Sequence, residues 1–85
     1  MQHDPARNIF EEETPEGTAY VSYAMRPGNT FEITYTFVPP AARGGGRARR
    51  LVLQVRDWAK EQGYEVTASC SYAARVLADT PSTTR

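Results

Sequence analysis

The sequence predicts an α+β domain in which antiparallel strands lead into a βαβ unit, with two helices against the sheet. Three observations predict it. Residues 9–38 are rich in β-branched and aromatic side chains that alternate with polar ones between turn signals. Residues 47–62 change period, with Ala48, Leu51, Val52, Val55 and Ala59 recurring at spacings of three and four. Residues 64–70 (YEVTASC) then return to strand composition, so a strand, a helix and a strand follow one another.

Each element has its own signals. Residues 1–8 (MQHDPARN) are polar and aperiodic, and are expected to be a mobile tail that leaves His3, the only histidine, in solvent. IFEEE stops at the turn residues TPEG, and TAYVSYAM then sets Ala19, Val21, Tyr23 and Met25 on one face. After the turn RPGN, FEITYTFV sets Phe31, Ile33, Tyr35 and Phe37 on one face. Gly63 closes the helix over 47–62, with Trp58 near the edge of its apolar stripe and expected in the core. SYAARVLAD forms a second short helix, which Pro81 stops, leaving 82–85 as a tail and 9–81 as the domain.

Size, charge and cysteine count narrow the function. A chain of 85 residues buries only about 60–65% of its unfolded surface, so its core is thin. One cysteine, Cys70, allows neither an internal disulfide nor a structural zinc site. That lone thiol and the want of an apolar leader fit a reducing, cytoplasmic compartment. The net charge is zero but unevenly placed, with glutamates crowded in 10–16 and arginines in 43–56. A protein that coats nucleic acid is expected to be basic overall, so a localised positive patch suits a small polyanion better.

That patch is PPAARGGGRARRLV, residues 39–52. In a right-handed βαβ crossover the two strands are parallel, so the ARGGG loop and Cys70 leave the same edge of the sheet, where ligands of open α/β sheets bind. Glycines let several backbone amides converge on one anion, and the following helix adds its unpaired amides and the positive end of its dipole. Arg43, Arg47, Arg49 and Arg50 add mobile charge suited to phosphate oxygens. A Walker loop would need Lys and then Ser or Thr where Arg47 and Ala48 stand, and a dinucleotide fingerprint would need Gly in place of Arg49.

The loop resembles the acetyl-CoA pyrophosphate loop of the GNAT superfamily, whose pattern of Gln or Arg, two residues, Gly, one residue, Gly or Ala is met by Arg43, Gly46 and Ala48. TFVPPAARGGGRARRLV and VTASCSYAARVLADTP are similar, in order and spacing, to two blocks of the very short GNAT-like proteins, over residues 9–81. The resemblance implies an abridged GNAT fold and an acetyl-CoA-dependent N-acetyltransferase. It implies acetyl-CoA contacts at Val38, Arg43, Gly44, Gly45, Gly46, Arg47, Ala48, Arg49, Arg50 and Cys70. Tyr35 stands where that family often has His before Thr36, and Thr80-Pro81 replaces its usual His-Pro.

Transfer to an amine needs a base and an acid. Glu32 and Tyr35 are candidate bases by position, and Tyr72 is a candidate acid or else a core aromatic. Cys70 precedes a helix with Ser71 as expected N-cap, a place that favours a nucleophilic sulfur. The resemblance sets Cys70 beside the thioester. The acceptor is an unidentified amine, and the chain is expected to be a monomer or a weak homodimer with no membrane partner. A non-catalytic CoA-binding or protein-interaction module is the alternative, and nucleic-acid binding the weakest reading.

Overall fold

The computed structural model describes residues 1–79. Pro81, Thr80 and the expected tail at 82–85 lie outside the described residues. One five-stranded sheet, in the spatial order β1-β2-β3-β4-β5, is built from β1 (Gln2–Asp4), β2 (Ile9–Thr14), β3 (Gly17–Arg26), β4 (Thr30–Phe37) and β5 (Glu65–Ala68). The first four pair antiparallel, and β5 lies parallel to β4 after a crossover through α1 (Arg47–Glu61). The second helix, α2 (Ser71–Asp79), follows β5 directly. Strands leading into a βαβ unit with two helices are thus the observed architecture, consistent with an abridged GNAT fold.

Both helices cover the same face of the sheet. Leu51, Val52, Val55 and Ala59 of α1 and Ala73 and Val76 of α2 share one buried cluster with Phe10, Ala19, Val21, Tyr23, Phe31 and Ile33. Alternation along β2, β3 and β4 puts those strand residues on one side, which we call the inner face. Gly63, at φ +88°, ends α1 as expected, in a left-handed conformation that glycine adopts without strain. Among the described residues, no helix is long and apolar enough to cross a membrane.

Three expectations are corrected by packing. The first concerns the supposed tail. Residues 2–4 form β1, paired with Ile9–Glu11, and the chain turns between them with Asn8 in the left-handed region that asparagine tolerates. His3 is not a solvated side chain. Its ring stacks on Phe10 at 4.1 Å, meets Trp58 edge-on at 4.8 Å, and its Nε2 lies 2.6 Å from the Tyr23 hydroxyl. Burial pushes the Tyr23 phenol up from its ordinary pKa. A three-residue strand with one ring facing inward has no period to read, which is why the sequence pattern misses it.

The second concerns faces. Met25 lies toward the exposed end of β3 and leaves the core. Tyr35 and Phe37 turn away from Phe31 and Ile33, because β4 carries a β-bulge: Ser22 pairs with Tyr35 but Tyr23 with Ile33, leaving Thr34 as an extra residue. The outer face then receives Thr34, whose hydroxyl is 2.9 Å from that of Ser22, and Tyr35, whose ring lies 6.0 Å from Tyr20. Thr36 pairs with Val21 on the inner side.

The third is small. The last strand spans Glu65–Ala68 rather than 64–70, since Ser69 and Cys70 leave the ladder.

Replacing His3 with Ala removes a ring contact and a partly buried hydrogen bond, and should lower stability by about 1–2 kcal/mol in a denaturant titration. Amide exchange should quicken along β2 in the same variant. Unchanged stability and exchange would restore the mobile-tail reading.

Candidate functional site

The β4 bulge shapes the sheet edge beyond Ile33. β4 and β5 pair from Thr30–Glu65 to Ile33–Ala68, and there the ladder ends. The extra residue bends β4, and the Ile33 carbonyl accepts from both the Ser69 amide at 3.0 Å and the Cys70 amide at 3.3 Å. Among the described residues, no strand pairs with β4 on the β5 side from Thr34 onward. A wedge therefore opens between the carboxyl ends of two parallel strands.

The loop after β4 closes one wall of that wedge. Pro39 is buried and starts a short 3-10 helix, Pro40–Ala42, and the Arg43 Nε donates to the Val38 carbonyl at 2.8 Å. Gly44, Gly45 and Gly46 then take φ values of +100°, +62° and +76°, where a side chain is strained. A Cβ on any of the three would meet nothing within 4 Å, so backbone geometry rather than crowding requires glycine, and the space above the loop is open. Gly46 is the N-cap of α1 and supplies no side-chain oxygen to the first-turn amides. The Arg47 amide donates to the Gly44 carbonyl at 3.4 Å, and the helix start carries the positive end of the dipole, an arrangement suited to anions.

Several expected residues do come together. A cavity of about 260 Å³ is lined by Thr36, Val38, Arg43, Ala48 and Tyr72. Cys70, half-buried at the mouth of the wedge, sets its Sγ 3.9 Å from the Thr36 hydroxyl, a long contact across the gap. The Cys70 carbonyl accepts from the Ala74 amide at 2.9 Å, so Cys70 and not Ser71 holds the cap position of α2. Tyr72 is exposed and belongs to the cavity wall, not the core. Thr36 is the residue that pattern reading passed over as a site member, although its place beside the Tyr35 position was visible.

The arginines divide. Arg47 is not a mobile charge, because its Nη1 pairs with Glu12 Oε2 at 3.0 Å and its Nε reaches the Ala42 carbonyl at 3.3 Å. Glu12, on the inner side of β2, also attracts Arg50 at 3.8 Å. Nothing in the spacing of residues 12 and 47 foretold that pair, which ties the start of α1 to a distant strand. Arg43, Arg49 and Arg50 remain at the exposed rim.

Glu32 and Tyr35 stand on the other side of the sheet. Glu32 is paired with Arg26 at 2.7 Å, and hydrogen bonding from Arg26, then from Ser69, holds its carboxyl below the ordinary glutamate pKa. A carboxylate so engaged is a weaker base than a free one. Tyr35 is half-exposed on the outer face, level with the opening of the wedge.

A strand-end wedge, an arginine-bearing glycine loop and a helix N-terminus thus lie together at one edge of the sheet. The chain matches a family model described as GCN5-related N-acetyl-transferase over residues 8–85. It belongs to the GCN5-related N-acetyltransferase family. The sheet and helices of this GNAT domain are those the loop and cysteine blocks imply. No curated protein is significantly similar to the chain.

Arg26→Ala should let the Glu32 carboxyl rise toward its ordinary pKa, read from its side-chain carbon shifts in an NMR titration. The depressed pKa makes the ion pair stabilising above the unfolded-state pKa, and that contribution is lost as pH falls through the lower, folded value. A Glu32 titration unmoved by the substitution would show that Arg26 does not govern it.

Proposed function

We propose that the domain is an acetyl-CoA-dependent N-acetyltransferase acting on an amine acceptor. The observation that carries this reading is the wedge after Ile33, continuous with the left-handed glycine loop at the start of α1. The space over Gly44, Gly45 and Gly46 is open and their left-handed backbone carries no side chain, so a pyrophosphate can approach the loop amides. In this reading the amides of residues 44–48 hold the pyrophosphate, with Arg43, Arg49 and Arg50 at its rim. The free edge of β4 beyond Thr34 hydrogen-bonds the pantetheine arm, and Val38 and Ala48 line its path. When bound, acetyl-CoA supplies the activated acetyl group.

The remaining roles fall to side chains at the wedge. Tyr72 is positioned on the cavity wall to give a proton to the departing sulfur. Tyr35, on the open side, is the better placed of the two candidate bases, since Glu32 is held by Arg26. Cys70 is the candidate for a covalent role, in which its sulfur takes the acetyl group from the thioester, releases CoA thiol, and passes the group to the amine. A lone thiol in that role fits a reducing compartment such as the cytoplasm. One observation favours a second reading, a CoA-binding module without turnover: Glu32 is engaged by Arg26, which leaves Tyr35 as the one candidate base not so engaged.

An NMR titration with CoA and acetyl-CoA tests both readings. Shifts should be confined to residues 38–50 and 68–73, with ATP much weaker. Gly46→Val should abolish CoA binding while the domain stays folded, because a β-branched residue resists φ +76° and occupies that open space. Arg49→Ala or Arg50→Ala should weaken it by less than about tenfold each, in a salt-dependent way. A folded Gly46→Val that binds CoA normally would rule out the loop.

Intact-mass analysis after incubation with acetyl-CoA addresses Cys70. A transient acetyl adduct that disappears in Cys70→Ala, with CoA binding retained, supports a two-step transfer. Unchanged turnover in that variant leaves Cys70 a packing residue.

A further inference from the structure

The bare outer face of the sheet is the largest feature that the cofactor wedge does not use. Both helices pack on the inner face, and among the described residues neither covers the outer one. The Thr34 bulge brings Tyr35 onto this face, where its ring lies 6.0 Å from Tyr20, and Tyr20 lies 5.6 Å from Phe37. Tyr35 is 52% exposed, and Tyr20 and Phe37 beside it are half-buried. The cluster sits level with the opening of the wedge, on the side away from α1.

Register places acid beside these rings. Glu11 is the direct cross-strand neighbour of Tyr20, and Tyr20 of Phe37, so one row runs Glu11–Tyr20–Phe37 over the outer face. Glu13 stands two residues on, accepting from the Thr18 hydroxyl at 2.9 Å. The face as a whole carries Glu11, Glu13, Glu32 and Glu65 against Arg26, while Arg7 is held chiefly by Asp4 at 2.7 Å and reaches Glu11 only at 3.3 Å. The arginines of residues 43–50 lie at the loop instead. An anionic ligand is thus favoured at the loop and a cationic one on the sheet.

We propose that the outer face centred on Tyr20, Tyr35 and Phe37 is the acceptor platform and takes an aliphatic diamine, one ammonium over the tyrosine rings and the other at Glu11 and Glu13. β4 and β2 are two strand spacings apart, so the two cationic centres lie about 10 Å from one another. Exposed aromatic faces attract ammonium groups, and carboxylates one strand away hold the second charge. The amine at Tyr35 is then next to the wedge, reaching the thioester from the side that the loop and α1 leave open. A second copy of the chain would set the same acidic face against itself, which like charges oppose. The term acceptor rests on the acetyltransferase reading, whereas binding of the diamine does not.

Titration of the full-length protein at low salt with 1,8-diaminooctane, 1,3-diaminopropane and butylamine tests the platform. NMR shifts should map to Glu11, Glu13, Tyr20, Tyr35 and Phe37, and the long diamine should bind several-fold more tightly than either shorter amine. Tyr35→Leu should weaken it by about two- to fivefold and Tyr35→Phe should not, since the ring and not the hydroxyl is the contact. Glu11→Gln and Glu13→Gln should each weaken it by a few-fold and flatten its salt dependence. Equal affinity along the amine series, shifts elsewhere, or an unaffected Tyr35→Leu would overturn the proposal, as would concentration-dependent dimerisation through these same residues. CoA binding is followed in the same samples at residues 38–50. Retained CoA binding without diamine binding sinks the platform alone. Diamine binding without CoA binding sinks the cofactor reading and with it the acceptor role.

Discussion

A single extra residue in one strand organises this molecule. Thr34 has no counterpart on β3, and the chain accommodates it by bending β4 and rotating everything after Ile33 by one step of the pleat. The β4–β5 ladder ends at the same point, with Ile33 paired to Ala68 and its carbonyl accepting from both Ser69 and Cys70. The same rotation moves Tyr35 and Phe37 out of the core and turns Thr36 to the inner side, where it lines the cavity. Its effects on the two faces are therefore linked: one displacement opens a slot on the ladder side and builds an aromatic surface on the other. The hydroxyl contact between Ser22 and Thr34 at 2.9 Å holds the bulge in place.

Charge is arranged around that bend. Net charge is zero, yet the loop at the start of α1 concentrates arginine and the outer face concentrates glutamate. Glu12, the glutamate on the inner side of β2, draws in Arg47 and more loosely Arg50. A partly exposed ion pair of this kind contributes little to stability, about 1 kcal/mol or less. Its consequence is positional, because it anchors the first turn of α1 to β2 and so orients the helix start.

The far edge of the sheet is held differently. β1 is short, and its one inward residue, His3, is gripped by Phe10, Tyr23 and Trp58. Trp58 comes from α1, so this cluster joins the edge strand to the same helix that carries the loop. A thin core in a small domain makes such aromatic contacts matter, because few other side chains are large enough to bridge strand and helix.

Local pattern by itself determined the strands at 9–38, the helix from Arg47, the left-handed glycine at its end and the glycine-arginine loop between strand and helix, since each depends on period, turn residues or a missing Cβ. It also brought Val38, Arg43, Ala48, Tyr72 and Cys70 to one edge, because a parallel crossover leaves no other place for them. Tertiary structure decided the rest. Phe31, Ile33, Tyr35 and Phe37 alternate without a flaw, so no period reveals the bulge between them; only pairing with β3 does. The partnerships of His3 with Tyr23 and of Glu12 with Arg47 span 20 and 35 residues, and no local signal records a contact made across a sheet. Glu32, a candidate base by position, is taken by Arg26, two strand ends that meet only in the folded hairpin. What is local in sequence was legible there, and what depends on which strand lies next to which was not.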